Sequence, residues 1–195
     1  HFKRLPPEDY ATSWRKDWKP FRVGRLALLP PWYESDPPRA ADVRLTIEPV
    51  GSFGSGRHAT TRTCLRALSR RIQGGERLLD AGAGSGILSV GAALLGARET
   101  YGFDLDPASK PTADLLAQDN GVEDRCAFRE GDFRRLEEVE GLFNVVCANI
   151  YAYATSCSSR CSDIICHHVK CRSCGTRSST ELARPLTKAR HGPWP

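Results

Sequence analysis

Four residues in the run Arg77-Leu78-Leu79-Asp80-Ala81-Gly82-Ala83-Gly84-Ser85-Gly86-Ile87 have the types and spacing to build a binding site: Asp80, Gly82, Gly84 and Gly86. Glycine at every second position after a short apolar strand lets the backbone turn sharply and brings its N–H groups towards a ligand with no Cβ in the way. The helix that follows presents a positive N-terminus to the same place. The dinucleotide form of such a turn, G-x-G-x-x-G, needs glycine at position 87, where Ile87 stands, so pyrophosphate binding fits poorly. The pattern present is D-x-G-x-G-x-G, with Asp80 closing its strand. A second acid, Asp104, closes the strand Thr100 to Asp104, 18 residues beyond Gly86. A carboxylate at that point has two oxygens to accept from the vicinal hydroxyls of a ribose. Asp106 has a plainer reading, as an N-cap ahead of Pro107.

These groups need a parallel sheet to hold them, and the chain supplies its elements. Ile87 to Leu95 is apolar almost all round, as in a helix wedged against a sheet. Cys126 to Glu130 reads as a third strand, and Leu142 to Ile150 as a fourth, nearly continuous in apolar residues as a buried parallel strand should be. The helix after Asp106 runs to Asn120-Gly121, with Pro111 inside its second turn loosening or kinking its start. Upstream, Phe21 to Pro30 reads as a strand or hairpin and Val43 to Ile47 as a second strand, pairing as an antiparallel flap. A helix from Thr60 to Ile72 carries Cys64, Leu65, Leu68 and Ile72 on one face.

The D-x-G-x-G-x-G turn resembles motif I of the class I S-adenosylmethionine (SAM) methyltransferases. A longer run, Phe53-Gly54-Ser55-Gly56-Arg57-His58-Ala59-Thr60-Thr61, preceded by Glu48-Pro49-Val50-Gly51, resembles the F-G-T-G-x-H-x-T-T signature of the PrmA family, methyltransferases of a bacterial large-subunit ribosomal protein. W-K-P-F-R-V-G-R (18–25) and P-P-W (30–32) are similar to that family's interdomain linker and first strands, Gly131-Asp132 to its G-D turn, and V-V-C-A-N-I (145–150) to its V-V-A-N-I motif. Asn144 departs from the usual aspartate. The resemblance covers about residues 14–152. It implies an α/β, Rossmann-like fold with a parallel central sheet, incomplete on its C-terminal side, and SAM as cofactor with no metal. It also implies methyl transfer to lysine side-chain and N-terminal amines. The cofactor-binding residues it implies are Phe53, Thr61, Asp80, Gly82, Gly84, Gly86, Asp104, Asp132 (near the adenine amino group) and Asn149. Asn149, His58 and Thr61 are its catalytic set, with Phe53, His58 and Thr61 in a flap over SAM. His58 by itself would also serve as a loop or capping residue, and Asp132 as a surface acid. Other class I methyltransferases, with small-molecule or other protein acceptors, remain as a second reading.

Composition bounds the rest. With 195 residues, 40% of them apolar, the chain can hold one domain with a core. No apolar run approaches a membrane span and no signal peptide opens it, so a cytoplasmic monomer without membrane contact is the expectation. His1 opens the sequence and Met is absent, so the chain reads as a piece of a longer product that lacks the family's N-terminal docking domain. Weak SAM binding and slow transfer to the ribosomal acceptor follow from that reading. Residues 1–20 are read as a linker remnant, 21–152 as the SAM-binding domain and 153–195 as a tail. The first 152 residues carry 21 charges of each sign, while the tail has seven Lys or Arg, two acids and five of the eight cysteines. Cys64, Cys126 and Cys147 read as reduced core residues. The tail shows no helical or strand periodicity. Cys166, His167, His168, Cys171 and Cys174 offer zinc-type ligands, but a second pair at a familiar spacing is poorly formed. An abrupt change of composition at a motif boundary points instead to a reading-frame change and disorder. An inactive SAM-binding remnant whose basic tail touches nucleic acid is the alternative from another class.

Overall fold

A computed structural model of the chain describes residues 18–33, 43–48, 55–131 and 143–150, together with the backbone of 161–166. A parallel sheet carries the site. Its strands are β4 (Arg77–Ala81), β5 (Glu99–Asp104), β6 (Cys126–Glu130), β7 (Phe143–Ala148) and β8 (Cys161–Cys166), in the order β6-β5-β4-β7-β8. Every neighbouring pair is parallel. From β4 the chain moves outward through β5 to β6, then returns across β4 to β7. That reversal beside β4 opens a crevice at the carboxyl ends of the strands.

The helices follow from what they must cover. Helix α2 (Ile87–Leu94) buries every residue from Ile87 to Ala93, because it lies between the sheet and α1 (Ala59–Arg71). α1 buries Thr61, Cys64, Leu65, Leu68 and Ser69 along one stripe, leaving its other face to solvent. Helix α3 (Ser109–Asp119) packs on β5 and β6. One core joins these helices to Leu78, Val145 and Phe128 on one face of the sheet, while Leu79, Tyr101, Phe103 and Val146 form a second cluster on the other. Cys64 and Cys147 are buried and Cys126 half-buried, as single apolar-site cysteines should be.

A small second sheet departs from the expected flap. β1 (Phe21–Val23) and β2 (Leu26–Leu29) form an antiparallel hairpin, but β3 (Val43–Thr46) runs parallel to β2. The 13 residues between β2 and β3 are enough to carry the chain back to the starting end, which a tight hairpin could not do. β3 is tied to the end of α3 by Asn120. Its Oδ1 accepts from the Thr46 N–H at 2.8 Å and its Nδ2 donates to the Thr46 carbonyl at 2.8 Å.

Two other expectations change. α3 begins at Ser109, not behind Asp106: Asp106 Oδ1 accepts from the Ala108 N–H at 2.9 Å and caps a separate turn that contains Pro107. Pro111 therefore falls in the first helical turn, where a missing N–H costs little, and no kink is needed. The segment Cys161–Cys166 forms a strand, against the reading that the tail has no strand character. The outer edge of β7 offers a row of backbone donors and acceptors, and pairing with it does not need side-chain alternation. The zinc-type ligands beyond Cys166 and the remainder of the tail lie outside the described residues.

Candidate functional site

The glycine turn sits at the carboxyl end of β4, and its hydrogen bonds are arranged differently from those of a phosphate cradle. Gly82 and Ala83 both donate to the Phe103 carbonyl, at 2.9 and 3.0 Å, and Gly86 donates to the Ala83 carbonyl at 2.8 Å. Gly84 donates to Asp104 Oδ2 at 2.8 Å. These amides are satisfied internally, so what the turn offers a ligand is close approach and not donors. The three glycines have φ of 70°, 52° and 76°, in the left-handed region. A Cβ on Gly82 would strike the Ile150 side chain, and one on Gly86 would lie 2.7 Å from Ala113 Cβ and 2.9 Å from Phe128 Cζ. A Cβ on Gly84 would meet nothing within 4 Å. Gly82 and Gly86 are thus needed by the protein's own packing, and Gly84 faces open space.

That space is a shallow surface groove lined by Gly84, Asp104, Ser109, Lys110, Ala113, Phe128 and Arg129 among others. Asp104, half-buried, is fixed on both oxygens: Oδ2 by Gly84 and Oδ1 by the Asp106 N–H at 3.0 Å. Each oxygen keeps a further lone pair for a hydroxyl donor. Leu105 beside it is 71% exposed. The groove therefore sets one carboxylate among apolar side chains, with the cations Lys110 and Arg129 at its wall.

Asp80 is placed differently from the expectation. β4 continues through Ala81, so Asp80 does not close the strand, and its side chain is fully buried. Oδ2 accepts from the Ser89 N–H at 3.2 Å and the Ser89 hydroxyl at 2.9 Å, while Oδ1 has no partner. Burial, with a smaller push from Asp104, raises its pKa to about 6 against the bonds from Ser89. It braces α2 against β4 beneath the turn and does not line the groove. Ser89 itself had passed unnoticed, although a hydroxyl in the apolar run Ile87 to Leu95 is the signal that could have found it.

Thr61 and Asn149 come together. Asn149, just past β7, donates from Nδ2 to Thr61 Oγ1 on the first turn of α1 at 3.2 Å, across 88 positions of sequence. This fixes the side-chain amide with Oδ1 turned away from the threonine. His58 stands three residues before Thr61. It is the N-cap of α1, where Nδ1 lies 2.8 Å from Thr60 Oγ1 and accepts from the Thr60 N–H at 3.4 Å, and it is exposed. Asn144, in place of an aspartate, still accepts the Arg77 N–H on Oδ1 at 2.8 Å. Phe53 and Asp132 lie outside the described residues.

An α/β sheet with a glycine turn at its switch point and a carboxylate closing the next strand is the Rossmann-like arrangement. The family described as ribosomal protein L11 methyltransferase (PrmA) matches residues 1–158. The chain is 39% identical over 148 residues to the ribosomal protein L11 methyltransferase of Deinococcus radiodurans, covering 74% of this chain and 54% of that protein. It is 40% identical over 150 residues to the one of Pelotomaculum thermopropionicum, covering 77% and 48%. A ribosomal protein L11 methylase structure from Lactobacillus delbrueckii subsp. bulgaricus superposes with a TM-score of 0.60 at 28% identity, covering 69% of this chain and 68% of that one. The chain belongs to the PrmA family of ribosomal protein L11 methyltransferases. It spans about half the length of the curated relatives it matches.

Proposed function

We propose that this chain is the SAM-binding portion of a protein methyltransferase acting on lysine side-chain and N-terminal amines of ribosomal protein L11, as a cytoplasmic monomer. The observation that carries the reading is the Asn149–Thr61 pair beside the glycine turn. When bound, SAM supplies an electrophilic methyl on a sulfonium for in-line displacement by an amine. The residues present fit such a group, because the Cβ position of Gly84 opens onto free space next to Asp104. Asp104 would accept the ribose hydroxyls, and Gly84 would let the aminoacyl part lie against the backbone.

The acceptor must arrive as a neutral amine, and lysine titrates near ~10.4 in water. Asn149 Oδ1 can accept one amine hydrogen and so orient the lone pair, an alignment contribution that needs no strong base. The Thr61 hydroxyl holds that amide in place. Desolvation at the crevice lowers the lysine pKa in the required direction. Asp104→Ala should weaken SAM binding by roughly 1.5–3 kcal/mol, the range for a charge-assisted bond. Titration calorimetry giving undiminished affinity would remove Asp104 from the site, and absence of methyl incorporation into purified L11 by the full-length protein would remove the assigned acceptor.

A further inference from the structure

The first 152 residues balance in charge, yet between Ser55 and Gly75 there are five arginines and no acid. Four of them lie on α1, and the structure sorts them. Arg62, Arg66 and Arg70 are exposed and spaced by four, so they form one straight stripe on the solvent face, with a rise of about 6 Å from each to the next. No carboxylate among the described residues forms an ion pair with any of the three. The stripe starts one residue from Thr61 and runs away from the site along the helix. At its head sit two partly exposed rings. Arg57 lies 4.7 Å from the centre of the Trp18 ring and 5.6 Å from that of Phe21, and Arg62 lies 5.7 Å from that of Phe21.

We propose that this face of α1, Arg62, Arg66 and Arg70 with the Trp18–Phe21 rings at its head, binds the phosphate backbone of single-stranded RNA. Guanidinium groups take phosphate oxygens in a bidentate fork, and three in line can follow a sugar–phosphate chain. The rings themselves pack on the core, but the exposed Arg57 lies over Trp18, and a guanidinium held flat on a ring presents a planar surface on which a base can stack. An acidic peptide would use the charges and leave the planar Arg57–Trp18 pair at the head of the stripe without a role. A membrane surface would need an apolar face to insert, and the apolar stripe of α1 is buried in the core.

The test is fluorescence anisotropy of a labelled uridine 20-mer with the full chain, in a salt series. Three phosphate contacts on a single strand contribute about 2 to the slope of log affinity against log salt, roughly 0.7 each. Arg62→Gln/Arg66→Gln/Arg70→Gln should lower the slope by about that amount and the low-salt affinity about ten- to hundredfold. Arg66→Gln/Arg70→Gln, which touches no ring, should lower the slope by about 1.4. A thermal melt matching wild type would show that the fold is kept. An unchanged slope in the double variant overturns the proposal and assigns any binding to the basic tail. Displacement of the RNA by polyglutamate at equal charge concentration also overturns it, in favour of an acidic protein partner.

Discussion

The carboxyl ends of β4 and β5 and the junction of α1 with β7 are two halves of one crevice, held together in contrasting ways. In the first half Phe103, Asp104 and Ala83 accept the amides of the glycine turn, Gly86 packs on Ala113 and Phe128, and Asp80 is buried beneath with Ser89. Several short bonds, most of them to the next strand, hold the turn in place. In the second half a single 3.2 Å bond joins Asn149 to Thr61 across 88 positions. The difference teaches that the half proposed to hold the cofactor is rigid by local construction, whereas the half proposed to take the acceptor is only as well aligned as the packing of α1 against α2.

The largest effect that would break this contrast is in the turn. Gly86→Ala combines a left-handed residue, at ~1–2 kcal/mol, with overpacking against Ala113 and Phe128, at ~1–3 kcal/mol, so a stability loss of about 2–5 kcal/mol is expected in urea. Gly84→Ala should show only the backbone part, about 1–2 kcal/mol, since its Cβ meets open space. Equal losses in the two variants would mean that the turn is less tightly packed than described.

Next comes the proton on Asp80. Its folded pKa, about 6, lies above the unfolded ~3.9, so the folded chain binds this proton more tightly and the group's contribution to stability falls as pH rises from about 4 to about 6. Measured against Asp80→Asn, which cannot titrate, wild type should lose roughly 2 kcal/mol between pH 4 and pH 7. Urea midpoints for both proteins at the two pH values check it, and a constant difference would place the ionised carboxylate in a better solvated environment.

The smallest expected effect on stability falls in the acceptor half. Thr61→Val removes one bond, worth about 0.5–1.5 kcal/mol, while methyl transfer should drop roughly tenfold to a hundredfold because Asn149 loses its anchor. Thr61→Ser keeps the hydroxyl and should restore the rate. If Val and Ser transfer methyl equally well, the hydroxyl does not position the amide.

The same contrast explains what could be read from sequence. Gly82, Gly84, Gly86 and Asp104 were legible because a strand, a turn and the next strand's end are local patterns with one geometric solution. Thr61 and Asn149 entered the site only by resemblance, and their contact was not foreseen, since nothing in residue spacing says that positions 61 and 149 meet. Asp80 was misplaced by one residue of strand, and its cofactor-binding role came from the resemblance alone. In fact it faces Ser89, because that side of β4 is the one α2 covers. The parallel run of β3 was hidden for a related reason: alternation marks a strand but not its direction.

One detail outside the crevice bears on how the protein behaves in company. β3 is an end strand of the small sheet, and Val43 and Ile47 donate towards β2, which leaves Thr46 facing outward. A bare N–H and carbonyl there would invite a strand from another molecule. The Asn120 amide occupies both groups at once, in the manner of a partner strand one residue long. A single side chain thus blunts the place where the sheet could otherwise grow, and a variant such as Asn120→Ala would leave that border open to self-association.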